Sequence, residues 1–475
     1  MKMKRRLKYI RITLAALMLF GMTAMLLDTT GLVCHWMGWA ADVQLLPALL
    51  SLNVVVVVAI VIVTLLVGRV YCSVICPMGI FQDVFSWAHR IIFPKRKYHY
   101  RRPANWLRYV VLTLFVVMMV AGLNSLAVLI APYSAYGRMV THIHGSGAAQ
   151  VVAVVTVVVI GMMSFVWGRL WCNTLCPVGS LLSLLSRFSL FGVAIDEKKC
   201  VSCRRCEGAC KAMCIDIDTK RVDMSRCVVC GNCLSECKLD AISIGRRQSS
   251  VSNPIASRQA EKAQAKGGEV DASRRRFMAG TLAVGTALVV DAQVQKVDGG
   301  LAAIAGREVP DRRVPVRPFG SQGAKNFTKR CTSCQLCVSQ CPEHVLHPSA
   351  RLEDFMQPEM VFSDGYCRLA CTRCSKVCPA GAIQPLSREE KTSISVGRAI
   401  TLTENCISAR GEASCGTCAR HCPAAAISML TGSDGNARPV VNETRCIGCG
   451  ACEYYCPARP MTAIFVEGRE MHIEC

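Results

Sequence analysis

The sequence predicts an α-helical membrane bundle joined to small α+β modules rich in cysteine, and three observations carry that expectation. Four apolar runs, Ile12–Leu27, Leu45–Val67, Val110–Ala131 and Val151–Trp167, crowd the first 195 of 475 residues. The chain has 31 cysteines, most of them grouped after residue 195 in blocks of four. Finally, GRVYCSVICPMGIF at 68–81 returns as GRLWCNTLCPVGSL at 168–181, each time directly behind an apolar run. A helix pair followed by the phrase Gly-Arg-x-aromatic-Cys-x3-Cys-Pro-x-Gly is thus duplicated.

Each run approaches or exceeds the roughly 20 residues a helix needs to cross a bilayer, so four transmembrane helices are expected. Long valine stretches such as 54–58 would suit a strand, but continuous runs of this length favour helices facing lipid. The N-terminus MKMKRRLKYIR carries six basic residues and the 68–106 loop seven, whereas 28–44 has none and 132–150 only Arg138. The positive-inside rule places both ends of this unit, and both Cys-x3-Cys-Pro phrases, at the cytoplasmic edge of the membrane. The stretches Ile80–Ile92 and Leu181–Val193 read as amphipathic interfacial helices. Residues 1–195 form the membrane domain, and 196–245 a compact cysteine-rich module. Residues 246–276 are a polar, basic linker. The Ser273–Phe277 stretch, SRRRF, resembles a twin-arginine export signal, and fourteen apolar residues follow it, Phe277–Val290, giving 277–292 the character of a signal, anchor or short fifth apolar segment. Residues 293–330 read as an extended connector to a larger cysteine-rich module, 331–475.

Six cysteine blocks carry the chemistry. The first two are Cys200, Cys203, Cys206, Cys210 and Cys227, Cys230, Cys233, Cys237. The third is Cys331, Cys334, Cys337, Cys341. The fourth, Cys367, Cys371, Cys374, Cys378, has one extra residue in its first gap, and the fifth, Cys406, Cys415, Cys418, Cys422, has a longer insertion. The sixth is Cys446, Cys449, Cys452, Cys456. Short spacing wraps three thiolates around one face of a cubane, and the fourth reaches a neighbouring cubane, as in two-cluster ferredoxins. This exchange predicts six [4Fe–4S] sites: Cys200/203/206 with Cys237, Cys227/230/233 with Cys210, Cys331/334/337 with Cys378, Cys367/371/374 with Cys341, Cys406/415/418 with Cys456, and Cys446/449/452 with Cys422. Most blocks are followed by a short apolar phrase (DAI at 240–242, GAI at 381–383, AAI at 425–427, TAI at 462–464) expected to form small strands. Zinc and disulfides also use paired cysteines, but six repeats, four ending in Cys-Pro, point to iron–sulfur. Cys210 and Cys237 depart by preceding lysine.

Seven cysteines remain. Cys72, Cys76, Cys172 and Cys176, on the duplicated phrases, suffice for one more cluster or a redox dithiol pair, against simple packing of soft side chains. Cys34, Cys214 and Cys475 belong to no motif. The formal charge of +22 does not argue for nucleic acid, because much of the basic excess flanks apolar runs and each oxidised four-thiolate cubane would add about two negative charges. There is no CxxCH for covalent haem, no dinucleotide fingerprint and no P-loop. All nine histidines lie outside the apolar runs, which disfavours haem held between two histidines there. His142 and His144, in THIHG, are read as a solvated pair or as proton acceptors in quinol oxidation.

On these motifs residues 1–245 resemble the NapH-type membrane ferredoxins, and residues 273–475 the NapG/MauM-type ferredoxins, as if fused. The resemblance implies a quinol dehydrogenase component, without a substrate site of its own, that takes electrons from the quinol pool and passes them to a periplasmic reductase of nitrate-reductase type. It also implies a C-terminal module on the periplasmic side, although SRRRF opens a separate chain in the family and is internal here. Cleavage near Val290–Ala292 would separate that module. An alternative is a redox assembly or regulatory factor of CcoG or NosR type, which shares the membrane unit. An ion-pumping ferredoxin oxidoreductase is disfavoured by the scarcity of ionisable residues in the spans.

Overall fold

The computed structural model describes residues 2–28, 30–94, 98–121, 123–143, 147–246 and 307–474. The linker, SRRRF, the apolar segment Phe277–Val290, the first part of the connector, His144 and Cys475 lie outside the described residues.

Among the described residues, helix α1 (Lys2–Leu27) and helix α11 (Gly147–Trp167) contain the two stretches long and apolar enough to cross a membrane, Lys8–Leu27 and Ala149–Trp167. The other two expected spans are interrupted. Leu45–Val67 divides into α4 (Leu45–Leu50) and α5 (Val54–Val67), because Asn53 caps a new helix by accepting from Val56 N at 3.4 Å. Val110–Ala131 divides into α8 (Asn105–Val120) and α9 (Asn124–Leu129). At 1.5 Å per residue α5 and α8 reach about 21–24 Å, short of a hydrocarbon core of about 30 Å. Hydropathy alone does not register the asparagine cap.

The remaining elements of this domain are α2 (Leu32–Met37), α3 (Trp39–Asp42), α6 (Tyr71–Val74), α7 (Pro77–Ile92), α10 (Pro132–His142), α12 (Leu170–Thr174) and α13 (Pro177–Ser186). Helices α7 and α13 begin at the prolines of the two phrases, where a missing N–H is harmless. Their polarity is inverted relative to a soluble helix: α7 buries Gln82, Ser86 and His89 and exposes Val84, Trp87 and Ile91. The expected helix Leu181–Val193 stops at Ser186; Phe191–Ile195 is instead strand β1, paired antiparallel with β4 (Ile242–Arg246). The first cysteine-rich module therefore begins near residue 191, and its second hairpin joins β2 (Ile215–Asp216) to β3 (Arg221–Val222).

The C-terminal module holds three antiparallel pairs: β5 (Leu346–Pro348) with β6 (Pro358–Met360), β8 (Ile427–Thr431) with β9 (Ala437–Val441), and β7 (Ile394–Thr401) with β10 (Ile464–Glu474). The apolar phrases ending at Ile242, Ile427 and Ile464 open strands β4, β8 and β10, while Ile383 is buried in a loop. Residues 307–330 are part of this module and not a connector. Phe319 and Phe327 enter its core, and Arg312 bonds Glu453 at 2.5 Å, both side chains being buried.

The two modules contact opposite ends of α1. Lys8 Nζ donates to Ser235 Oγ of the first module at 3.2 Å, and Gln340 of the second donates to Met25 O and Asp28 O. These contacts are about 30 Å apart along the helix. The first module is anchored at Asp83 on α7, which receives Arg11 at 3.2 Å, Arg169 Nε at 2.6 Å and Lys211 of the module. Arg169 and Lys211 are buried, so each needs this carboxylate. Asp83→Asn leaves those cations without their shared partner and is expected to destabilise the docked module by about 3–5 kcal/mol. The readout is thermal midpoint together with protease susceptibility of residues 196–246, and an unchanged pair of values would show that the anchor lies elsewhere.

Candidate electron-transfer site

Several positions of the duplicated phrase have a geometric role. Gly168 (φ +59°) passes so close to the first module that a Cβ would lie 2.2 Å from Lys211 O. Arg69 and Arg169 cross over: Arg69 donates to Cys172 O at 3.0 Å, and Arg169 donates to Cys72 O at 2.8 Å. Each half's arginine thus holds the other half's first cysteine. Gly79 and Gly179 make room for those same carbonyls, since a Cβ at either would sit 2.1 Å from Cys72 O or Cys172 O. The duplication extends to flanking contacts. Arg11 donates to Ser73 O at 3.4 Å and Arg108 to Asn173 O at 2.8 Å, from α1 and α8 respectively.

This frame brings Cys72, Cys76, Cys172 and Cys176 together, all buried. Gln82 Nε2 donates to Cys172 Sγ at 3.1 Å, and Gly179 N to Cys176 Sγ at 3.3 Å. The Cys172 thiol is lowered by a hydrogen bond from Cys176 and, against burial, by Arg169 and Arg69, while burial raises Cys72 and Cys76 and the bond to Cys172 raises Cys176. Four convergent sulfurs beside two guanidinium groups are chemically suited to an iron–sulfur centre or dithiol chemistry.

The six blocks also converge in crossed sets. One cavity is lined by Cys200, Cys203, Cys206 and Cys237, another by Cys367, Cys371, Cys374 and Cys341, and a third by Cys406, Cys415, Cys418 and Cys456. In each of the other three sets one buried thiol is raised by desolvation and then by its neighbours. Cys337 feels Cys331, Cys334 and Cys378; Cys233 feels Cys227, Cys230 and Cys210; Cys452 feels Cys446, Cys449 and Cys422. Each crossed set thus gathers thiols from two blocks. Backbone amides complete the environment: Val345, Ala426 and Ala463 donate to Cys341, Cys422 and Cys456 at 3.3–3.4 Å. The intervening prolines offer no competing N–H, and bonds of this kind help set cluster potentials.

The sets are serially adjacent. Cys206 neighbours Cys233, and Cys230 neighbours Lys211, which reaches Asp83 beside the four-thiol centre. In the C-terminal module Cys337 neighbours Cys374, and Cys367 N donates to Cys449 O at 2.9 Å. The lysine that follows Cys210 in place of proline is thus the docking residue. Cys214 was not singled out by motif, but its Sγ lies 3.5 Å from that of Cys210 and it also bonds Cys227. The signal was present: Cys214-Ile215 occupies the place of Ala-Ile in other blocks. His142 is not in a solvated loop. It ends α10, buried, with its pKa lowered by desolvation and its side chain bonded to Gln335.

Against known families, a 4Fe-4S binding domain matches residues 51–98 and again 148–194, the two halves that carry the duplicated phrase. One 4Fe-4S dicluster domain matches 223–345, and another matches 330–382 and 413–459. Among curated relatives, the ferredoxin-type protein NapH of Escherichia coli is 29% identical over 35% of this chain and 55% of its own length. The methylamine utilization ferredoxin-type protein MauM of Methylobacillus flagellatus is 31% identical over 31% of this chain and 66% of its own. The ferredoxin-type protein NapG of Haemophilus influenzae is 28% identical over 25% and 47%. The chain belongs to the NapH/NapG/MauM-type ferredoxin family. It carries several 4Fe-4S ferredoxin domains. It spans about half the length of the first curated relatives it matches, and no solved structure matches it.

The close approach at the duplicated glycines generates a test. Gly179→Ala forces Cys172 O away from α13 and is expected to lower stability by about 1–3 kcal/mol, read as the thermal midpoint of the detergent-purified protein. Gly245→Ala, where a Cβ meets nothing within 4 Å, is the control. Equal midpoints for the two variants would refute the packing argument.

Proposed function

We propose that this chain is a multi-pass inner-membrane protein that carries electrons from the quinol pool to a periplasmic reductase of nitrate-reductase type. It does so through six [4Fe–4S] clusters held by the crossed thiol sets, with a further centre at Cys72, Cys76, Cys172 and Cys176. The observation that carries this reading is the serial adjacency of the thiol sets. Four of them lead from Cys378, beside the membrane domain, to the half-exposed Cys415 and Cys418 at the module surface.

Membrane placement is supported by the inverted polarity of the first 190 residues. Val55, Val58, Ile62, Leu114, Val117, Val155 and Val158 are exposed, while Arg69, Arg108, Arg138 and Arg169 are buried. Helices α1, α5, α8 and α11 would be the spans, with the short helices completing the depth of α5 and α8. The basic N-terminus and 68–106 loop support a cytoplasmic first module. The contacts at Met25 and Asp28 support a second module, residues 307–474, on the other face, in keeping with SRRRF and Phe277–Val290 lying between the modules in sequence. A [4Fe–4S] cluster supplies one-electron transfer with little reorganisation; the chain fixes the thiols, excludes water and supplies amide donors. The four-thiol centre, level with Arg11 on α1, shortens the gap to the contact at Met25 to about 20 Å.

Anaerobically purified protein should contain about 24 irons per chain for six cubanes, plus those of the further centre. Cys72→Ala with Cys172→Ala should remove only that excess. A short-chain quinol should reduce the clusters, seen by bleaching near 400 nm and by paramagnetic resonance. Trace iron, or clusters that dithionite reduces and quinol does not, would defeat the reading.

A further inference from the structure

Resting on that reading, the structure says where quinol would bind. A cavity of about 380 Å³ lies between helices α2–α3 and the C-terminal module, within the size range of small-molecule sites. His35, Trp39 and Asp42 line one wall, and Arg373, Lys376 and Cys378 the other. It differs from the three cavities lined by four thiols of one set, which have the donor composition of cubane seats. Only one thiol of a predicted set, Cys378, lines this one; beside it stand the Cys34 thiol, the His35 imidazole, the Asp42 carboxylate, the cations Arg373 and Lys376, and the polar Thr30 and Gln340.

We propose that this cavity is a quinol-oxidation site in which His35 and Asp42 take the two hydroxyl protons and Cys378 marks the electron exit. The rim supports an entry from lipid. Leu32, Trp36 and Trp39 are 68%, 74% and 54% exposed, forming an aromatic, apolar edge of the kind found at membrane interfaces. Lys376 and Arg373 offer donors to the quinone oxygens, and their charge favours the anion formed as a hydroxyl loses its proton. Oxidation of one quinol releases two electrons and two protons and leaves quinone. The protons pass to His35 and Asp42. The electrons would leave one at a time, toward the one-electron iron–sulfur acceptor that Cys331, Cys334, Cys337 and Cys378 would hold and that would pass each on along the module before the next. Because His142 is buried beneath Gln335 and outside this cavity, it has no part in the transfer.

The test uses the full chain in lipid nanodiscs with a photoreactive azidoquinone. Labelling should fall on peptides spanning residues 30–42 or 373–378, and excess short-chain quinone should suppress it. His35→Gln with Asp42→Asn, both at exposed positions, should weaken quinone binding about tenfold, with cluster absorption after dithionite unchanged. Trp39→Phe serves as a second variant should the first misfold, and its labelling yield should fall. Labelling elsewhere, labelling suppressed by phospholipid but not by quinone, or unchanged affinity in folded variants would overturn this site. If those variants are still reduced by quinol at the wild-type rate, the site is wrong while quinol oxidation stands. If the wild type neither binds quinone nor is reduced by quinol, the broader reading fails with it.

Discussion

The crossed pair of arginines is the constraint on which the rest depends. A guanidinium buried at Arg69 or Arg169 is tolerable only if its donors are satisfied, and carbonyls across the pseudo-twofold axis satisfy part of that need. The two halves are therefore tied together at the depth where their cysteines meet. Asp83 balances Arg169, and because it also takes Lys211 the same charge network fixes the first module. A buried ion network is weak evidence for stability by itself, but removing one member is severe. Specific placement is what such a network provides here.

That placement gives the four thiols of the membrane domain an environment unlike those of the modules. In the C-terminal module, backbone amides point at the last sulfur of each block, and proline silences the next donor. At the duplicated phrase the thiols start from helix-bound positions, and side chains such as Gln82 and the guanidinium groups provide the polar contacts. Hydrogen bonding and charge near sulfur move a centre's potential, so the two kinds of site have different physical controls.

Much of the architecture was legible because iron–sulfur chemistry imposes spacing on sequence. The crossed fourth ligands, Cys210 with Cys237 and Cys341 with Cys378, follow from that spacing, and the structure brings those thiols to the expected neighbours. The phrase at 68–81 and 168–181 was visible as a repeat, but its meaning was not, since Arg69 and Cys172 are 103 positions apart. Hydropathy predicted unbroken spans where Asn53 caps a new helix. It also extended a helix through Phe191–Ile195, whose partner strand lies some 50 residues downstream. Cys214 escaped notice because alignment of the blocks, rather than cysteine spacing, reveals its position. The cavity between Asp42 and Cys378 joins elements more than 300 residues apart, and no local pattern announces it.

Helix α1 gains a further role from touching both modules. Its two ends are locked by Ser235 and Gln340, and successive residues turn by about 100° about the axis. Inserting or deleting a single residue between them would swing one contact face away from its partner while leaving hydropathy unchanged. The helix therefore acts as a gauge of angle as well as length, and drift in its residue count is far less tolerable than drift in its side chains.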